Sequence, residues 1–402
     1  MDDLKEIPVL LLTGYLGSGK TTLVNRILNN RKGIRFAVIV NDIGEVNIDA
    51  DLIQKGGVVG KKDESLVALQ NGCICCTLKN DLIQQLCEIT SRQAFDYIVI
   101  EASGICEPEP IAQTICSIPA LGYEYVKNGI PVLDCVVTVV DAMRMESEFA
   151  CGDALKKPHL DEEDIESLVI QQIEFCNIIA LNKVSEVTPE QLGRIRAIVR
   201  TLQPKAKIIE CDYGEFDLDE ILDTGMFQFD DVAASATWIQ EVENHEDDED
   251  DDDDDDHDHD EGHDHEHHHH HDHDGEGEAE EYGIGTYVYQ ARRPFDLNAF
   301  DNFVAKKWPK NVIRAKGICY FSEEFDTCYL FEQAGRQFVL KNVGLWFATM
   351  PEEELIEKLR EQPDLLRDWD RTYGDRMQKL VFIGQHLDRD FIRRELDNCL
   401  FE

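Results

Sequence analysis

A phosphate-binding loop near the N-terminus constrains the fold of this chain more than any other feature. Gly14–Thr21 reads G-Y-L-G-S-G-K-T and satisfies the pattern G-x-x-x-x-G-K-[ST] in full. It directly follows the apolar run Val9–Leu12 and precedes a helix-compatible run, Thr22–Leu28. In this context the glycines let backbone N–H groups point at phosphate oxygens, and the helix N-terminus adds a partial positive charge. The motif predicts a P-loop nucleotide-binding protein.

The motif also predicts roles for individual residues. Lys20 is expected to contact the β- and γ-phosphates, and the Thr21 hydroxyl to bind Mg²⁺. A second strand should end in a carboxylate that helps to hold the magnesium ion, and Glu101 at the end of Tyr97–Glu101 fits; its alternative role is that of an exposed strand-end acid. Lys20 and Glu101 are therefore candidate catalytic residues. The predicted nucleotide-binding residues here are Gly14, Gly17, Ser18, Gly19, Lys20, Thr21, Thr22 and Gly104.

The segment that selects the base departs from its usual pattern. A strand leads into Asn182 and Lys183, which match the start of N-K-x-D and are predicted to bind the nucleotide. Ser185 occupies the position of the Asp that accepts hydrogen bonds from guanine, and Glu186 follows it. A serine hydroxyl is a weaker and less selective partner for guanine. We predict that the bound nucleotide is GTP and that the specificity for guanine is either relaxed or supplied by another residue.

Apolar strand-like runs alternate with helix-like stretches from Ile7 to about Cys211, which predicts an α/β fold with a mostly parallel sheet. The predicted strands are Ile7–Leu12, Arg35–Asn41, Tyr97–Glu101, Leu133–Asp141, Asn177–Asn182 and Lys207–Cys211. Gly285–Leu400 predicts a smaller α+β domain. Its predicted strands are Thr286–Ala291, Val312–Phe321, Thr327–Glu332 and Gln337–Leu340, and its predicted helices lie near Leu297–Lys307, Glu352–Arg360 and Asp388–Cys399. We predict a P-loop domain over 1–232, a disordered linker over 233–282 and a C-terminal domain over 283–402.

Most of the negative charge lies in one tract. The net charge is −43, and Glu243–Glu281 holds 23 acidic side chains, 11 of the 13 histidines and no Lys or Arg. Such a segment cannot bury a core and is predicted to be a flexible linker. It is either a charged spacer or a weak metal buffer that binds through neutral imidazoles. The buffer hypothesis names His257, His259, His263, His265, His267, His268, His269, His270, His271 and His273.

The remaining acidic balance disfavours nucleic-acid binding, which needs clustered Lys and Arg. No apolar run approaches the roughly 20 residues of a membrane-spanning helix, so no membrane partner is expected. An odd count of 13 cysteines favours reduced thiols in a cytoplasmic protein over a disulfide framework.

Three thiols in four positions are poorly explained as core packing. Asn71–Cys76 reads N-G-C-I-C-C, and its Cys73, Cys75 and Cys76 are candidate metal ligands. Thiolates bind Zn²⁺, Cu(I) and other borderline or soft metals, and two or three of them leave an open or exchangeable position. Zn²⁺ is favoured by ligand type, with Co²⁺ or Ni²⁺ also open. A disulfide cycle is the alternative for such close cysteines.

Together these motifs resemble those of the CobW-like P-loop GTPases, a group of metallochaperones that includes zinc-regulated GTPase metalloprotein activators. The resemblance covers nearly the whole chain. It rests on the P-loop, Asn41–Glu45, the C-x-C-C, Glu101–Gly104, Asn182-Lys183, the His-rich linker and Leu380–Gly384, which is similar to the family's final strand. Ser185 departs from the family pattern.

The resemblance implies that Cys73, Cys75 and Cys76 bind the delivered metal near the nucleotide. It also implies that Asn41–Glu45 is a first switch segment, with Glu45 near magnesium or the cargo metal and a candidate catalytic residue. GTP would order the switches and tighten the thiolate site, and hydrolysis would release the metal to a client apo-metalloprotein. The alternative is a metal-storage or sensing protein with nucleotide as a structural ligand.

Overall fold

The structure is a computed structural model that describes residues 4–29, 33–40, 66–68, 79–149, 163–229, 232, 282–334, 337–361 and 369–401. The chain forms two compact units, one from its N-terminal part and the other from most of its C-terminal part. The predicted linker over 233–282 lies outside the described residues except for Tyr282.

Seven strands among the described residues form the sheet of the first unit, in the order β3-β2-β4-β1-β5-β6-β7. Every pair of neighbours is parallel. The strands are β1 (Glu6–Thr13), β2 (Phe36–Val40), β3 (Leu66–Ala68), β4 (Tyr97–Glu101), β5 (Ile130–Asp141), β6 (Ile178–Asn182) and β7 (Lys207–Cys211). The predicted α/β class and all six predicted strands are confirmed. The sequence did not predict β3, and β5 begins three residues earlier than expected.

Helices cover this sheet and are amphipathic where they pack on it. They are α1 (Lys20–Leu28), α2 (Lys79–Arg92), α3 (Pro108–Ser117), α4 (Tyr123–Val126), α5 (Ala142–Phe149), α6 (Glu163–Glu174) and α7 (Pro189–Leu202). A capping box begins α7: the Thr188 hydroxyl accepts from Gln191 N–H, and the Gln191 side chain accepts from Thr188 N–H.

The core of the first unit surrounds the central strand β1. Leu10 and Leu12 of β1 pack with Val38, Val99 and Val137 of its neighbouring strands, all of them fully or almost fully buried. Strands that are covered by helices on both faces have continuous apolar sequences, and this is why they could be predicted from the sequence. Since all the strands are parallel, their carboxyl ends meet at one edge of the sheet. The P-loop follows β1 and therefore emerges at the middle of that edge.

The second unit contains a five-stranded sheet within the described residues, in the order β11-β10-β9-β12-β8. Its strands are β8 (Ile284–Ala291), β9 (Val312–Cys319), β10 (Thr327–Ala334), β11 (Gln337–Leu345) and β12 (Gln378–Gln385). Its helices are α8 (Leu297–Lys306), α9 (Glu352–Glu361) and α10 (Arg389–Asp397). Strand β12 pairs antiparallel with β8 and β9. The predicted α+β architecture of this domain is confirmed, although β9 ends two residues earlier and β11 five residues later than expected.

Aromatic side chains fill the core of the second unit. Phe300 on α8 stacks on Phe295 with ring centroids 5.0 Å apart and meets Phe331 of β10 edge-on at 5.3 Å. Strands β9 and β12 approach closely at Gly317, where a Cβ would lie 2.0 Å from the Lys379 carbonyl oxygen. None of the described helices is long and apolar enough to cross a membrane.

Candidate functional site

The P-loop adopts a conformation that only glycine tolerates at several positions. Gly14, Gly17 and Gly19 have φ values of 130°, 79° and 114°. At Gly14 a side chain is also excluded by space, because a Cβ would lie 2.3 Å from the carbonyl oxygen of Val139 on β5. The loop begins directly after β1 and ends at the first turn of α1, as the motif predicted. Its backbone is therefore held against the sheet edge in the shape that receives a phosphate chain.

Lys20 points back into this loop and is 7% exposed. Its Nζ donates to the carbonyl oxygens of Gly14 at 2.6 Å and of Tyr15 at 3.1 Å. These carbonyls hold the ammonium group where the loop closes. A buried ammonium group needs such partners. The oxygens of a triphosphate carry more negative charge than carbonyl oxygens, so they would be stronger partners for the Lys20 ammonium.

Thr21 and Glu101, the two predicted magnesium ligands, are in direct contact. Thr21 Oγ1 donates to Glu101 Oε1 at 2.8 Å. Strand register explains the contact, because Leu12 of β1 lies opposite Glu101 of β4 just before the loop begins. Glu101 is 1% exposed. A hydroxyl and a buried carboxylate form a hard-oxygen donor set, so these residues fit Mg²⁺.

Gly104 lies against the P-loop backbone. A Cβ on this residue would lie 2.6 Å from the Leu16 backbone nitrogen. Gln172 on α6, which is 1% exposed, donates to the carbonyl oxygens of Gly104 at 3.4 Å and of Cys106 at 3.1 Å. The segment after β4 is thus held between the P-loop and α6. The role of Gly104 as a nucleotide-binding residue stays a prediction.

Asn182 connects the P-loop with the segment that follows β7. Its Nδ2 donates to the Ser18 carbonyl oxygen at 2.8 Å, and its Oδ1 accepts from Gly214 N–H at 3.2 Å. The side chain is 3% exposed. The sequence predicted Asn182 as a nucleotide-binding residue, and the structure adds a positioning role that the local motif does not reveal.

Lys183 and Ser185 each contact an acidic residue. The Lys183 ammonium pairs with the carboxylate of Asp141 at the end of β5. Ser185 donates twice to Asp212 Oδ1, from its backbone nitrogen at 3.0 Å and from its hydroxyl at 2.9 Å. Asp212 is the first residue after β7, and no local motif indicates its role, because 26 residues separate it from Ser185.

Other predicted site residues are not brought together by the described structure. Thr22 is exposed on the first turn of α1, and Gly17 is exposed in the loop. Glu45 and the predicted first switch, Asn41–Glu45, lie outside the described residues, as do Cys73, Cys75, Cys76 and the ten histidines of the proposed metal buffer. Within the described residues, no group of three or more His, Cys, Asp or Glu side chains could hold a metal ion.

The state of the cysteines agrees with expectation in part. Eight described cysteines are free thiols, and among them Cys135 and Cys176 are buried while Cys116 is exposed. Burial raises the pKa of the Cys176 thiol to about 12, which makes it unreactive. Cys106, by contrast, is disulfide-bonded. The prediction of reduced thiols in place of a disulfide framework therefore holds for the eight free cysteines and not for Cys106.

A glycine-rich loop after the central strand of a parallel sheet, with a lysine inside it and a Thr–Glu pair at its mouth, defines a P-loop nucleotide-binding protein. Residues 8–210 match the family described as CobW/HypB/UreG, nucleotide-binding domain, and residues 284–400 match the Cobalamin synthesis protein cobW C-terminal domain. The chain belongs to the CobW/HypB/UreG family. The resemblance inferred from the motifs is confirmed, while the exact domain boundaries stay a prediction.

Two curated relatives and one solved structure illustrate the similarity. The Zinc-regulated GTPase metalloprotein activator 1 of Dictyostelium discoideum is 33% identical over 98% of this chain and 80% of its own length. The protein of the same name from Schizosaccharomyces pombe is 39% identical over 55% of this chain and 49% of its own length. A crystal structure of Zn(II)-bound YjiA GTPase from E. coli is 20% identical, covers 99% of this chain and 100% of that chain, and has a TM-score of 0.40.

The family assignment and the P-loop together confirm the predicted enzyme class, a GTP-hydrolysing P-loop protein.

Proposed function

We propose that this chain is a GTPase metallochaperone that binds zinc at its C-x-C-C motif and transfers the metal to a client apo-metalloprotein. The observation that carries the proposal is the hydrogen bond from Thr21 to Glu101, because these two residues are the predicted magnesium ligands and Thr21 directly follows the P-loop lysine. Relatives named as a zinc-regulated GTPase metalloprotein activator and as zinc chaperones support zinc as the cargo.

The residues of the site divide the hydrolysis between them. Backbone N–H groups of the P-loop and the Lys20 ammonium bind the β- and γ-phosphates. Thr21 and Glu101 would hold Mg²⁺, which neutralises charge on the phosphate oxygens. Gly104 packs against Leu16 and accepts a hydrogen bond from Gln172, so the segment after β4 lies beside the loop. Asn182 fixes the loop from the opposite side.

Coupling to the metal needs segments that respond to the γ-phosphate. We propose that GTP orders Asn41–Glu45 and brings the thiolates of Cys73, Cys75 and Cys76 into a tight site for Zn²⁺, with Glu45 beside one of the two metals. Hydrolysis then releases these segments and the zinc passes to the client. Thiolates must be deprotonated to bind metal, so loading with zinc releases protons and weakens at low pH.

The histidine tract has a supporting role in this proposal. Neutral imidazoles between His257 and His273 would gather Zn²⁺, and Co²⁺ or Ni²⁺ as well, with low specificity. The composition of the tract predicts a flexible linker, and ordering such a segment would cost entropy, so we expect each of these sites to be weaker than the cysteine site. Deletion of 247–274 should remove several weak metal equivalents and leave one tight equivalent, as measured by calorimetry. Loss of the tight equivalent on deletion would refute this division.

Zinc-dependent GTP turnover tests the proposal. We expect Zn²⁺ to stimulate hydrolysis in the wild-type chain and the Cys75→Ala variant to lose the stimulation while it still binds nucleotide. Cys116→Ala is the matched control, because Cys116 is an exposed free thiol far in sequence from the motif. Absence of turnover with and without zinc would instead indicate a metal store that uses nucleotide as a structural ligand.

A further inference from the structure

The N-K-x-D position of this chain has no carboxylate that could recognise guanine, because Ser185 occupies it. In the structure Ser185 is not available as a hydrogen-bond donor to a base. Both its backbone N–H and its hydroxyl are directed at Asp212 Oδ1, at 3.0 and 2.9 Å. The serine therefore positions a different acidic residue.

Asp212 lies at the edge of the sheet that carries the nucleotide loop. Strands β6 and β7 are parallel, and Asn182 lies opposite Cys211, so Lys183 and Asp212 are the next residues of the two neighbouring strands. Two residues beyond Asp212, Gly214 N–H donates to Asn182 Oδ1, and Asn182 in turn donates to the Ser18 carbonyl of the P-loop. The segment that carries Asp212 is thus fixed relative to the phosphate site.

The remaining capacity of this carboxylate matches guanine. A carboxylate offers about four lone-pair positions, and Ser185 uses two of them on Oδ1. Within the described part of the chain, Asp212 Oδ2 makes no hydrogen bond and no ion pair, so it keeps two. Guanine presents two donors on one edge, the N1–H and the exocyclic amine, whereas adenine presents an acceptor at N1.

The geometry points to Asp212, positioned by Ser185, as the residue that reads the guanine base in place of the missing N-K-x-D carboxylate. The inference rests on the proposed function, since it requires that the chain binds a guanine nucleotide. Glu186 is the competing acid. Its side chain is exposed, and no hydrogen bond or ion pair holds its carboxylate within the described residues, so its position is not fixed.

Replacement of the Asp212 carboxylate by an amide provides the test. The side chain of Asn has one oxygen that accepts hydrogen bonds and one NH₂ group that donates them. Xanthine differs from guanine in carrying an oxygen acceptor where guanine has its amine, so it complements Asn and not Asp. We expect Asp212→Asn in the full-length chain to weaken GDP binding about ten- to a hundredfold and to strengthen binding of xanthosine diphosphate by a similar factor. Ser185→Ala should weaken GDP binding less, and Glu186→Gln should leave both affinities unchanged.

Gain of xanthosine diphosphate binding distinguishes base reading from a structural role, because a misfolded or loosened site would lose both nucleotides. The inference is overturned if Asp212→Asn leaves the ratio of the two affinities unchanged, or if Glu186→Gln shifts it instead. A wild-type chain that binds neither diphosphate would refute the proposed function as well. A wild-type chain that prefers GDP while Asp212→Asn keeps the same preference would refute this inference alone.

Discussion

The hydroxyl of Thr21 donates a hydrogen bond of 2.8 Å to Oε1 of Glu101, although the two residues are 80 positions apart in the chain. Thr21 is the second residue of α1, directly after the P-loop lysine, and Glu101 ends the neighbouring parallel strand β4. The parallel pairing of β1 with β4 brings them together at the carboxyl edge of the sheet. Strand order therefore brings the two predicted magnesium ligands into contact.

Replacement of either predicted magnesium ligand, Thr21 or Glu101, should abolish most of the GTP hydrolysis. We expect Thr21→Val and Glu101→Gln to lower kcat for GTP by at least about a hundredfold, since each alters a predicted ligand of the charge-neutralising ion. Thr21→Ser keeps the hydroxyl and is the matched control, with activity close to that of the wild type. Phosphate release under saturating Mg²⁺ measures the effect. Equal activity of the Val and Ser variants would contradict the assignment.

Substitution of Gly104 should disturb the P-loop without any change in charge. The Cβ of Gly104→Ala would lie 2.6 Å from the Leu16 backbone nitrogen, and two backbone segments cannot separate cheaply there. We expect GTP affinity to fall about tenfold or more, as measured by titration with a fluorescent nucleotide. Gly285→Ala is the control, because its Cβ would meet nothing within 4 Å. Unchanged affinity in Gly104→Ala would show that this contact does not shape the site.

Truncation of Asn182 should reduce stability as well as binding. Asn182→Ala leaves the Ser18 carbonyl and the Gly214 N–H without their partner in a buried region. Such a loss typically costs about 1–3 kcal/mol. Urea unfolding of the nucleotide-free chain should show a decrease in this range. Asn29→Ala, at an exposed helix end, should lie near the wild type. Loss of nucleotide binding at unchanged stability would mean that Asn182 contacts the ligand and does not brace the loop.

The ion pair of Arg35 with Asp96 should give a small acid-dependent contribution to stability. The hydrogen bond from the Arg35 side chain lowers the pKa of Asp96 from 3.8 to about 2. A carboxyl with a depressed pKa in the folded state stabilises the protein above its unfolded pKa and loses that contribution as the pH falls towards its folded pKa. The difference in unfolding free energy between wild type and Asp96→Asn should therefore shrink between pH 4 and 2. Both side chains are well exposed, so the difference is small.

That comparison has its own control. Arg35→Gln removes the guanidinium and keeps the backbone N–H of residue 35, which also donates to Asp96 Oδ2 at 3.1 Å. The pH-dependent effect of Asp96→Asn on stability should therefore be smaller in the Arg35→Gln background than in the wild type. A constant difference between wild type and Asp96→Asn from pH 5 to pH 2 would contradict the assigned cause of the pKa shift.

The sequence predicted the strands of the first sheet well, because buried parallel strands such as Tyr97–Glu101 are uninterrupted apolar runs with a polar residue at the end. It predicted the P-loop for a similar reason, since the motif is local. It did not predict β3, whose three residues, Leu66–Ala68, are too few to carry a periodic signal.

The contacts that complete the candidate site are long-range and could not be predicted from local patterns. Asp212 follows a strand that the sequence identified, yet its pairing with Ser185 depends on β6 and β7 being neighbours. The brace from Asn182 to Ser18 depends on the position of the P-loop relative to β6. In each case strand order decides which residues meet, and no local motif encodes strand order.

The most direct test of the central claim is the rate of zinc transfer as a function of nucleotide hydrolysis. The full-length chain, loaded with one equivalent of Zn²⁺, is mixed with a chromogenic chelator and either GTP or a non-hydrolysable GTP analogue. The account predicts slow release with the analogue, rapid release with GTP, and slow release from Glu101→Gln with either nucleotide. Equal release rates with GTP and the analogue in the wild-type chain would contradict a metallochaperone driven by GTP hydrolysis.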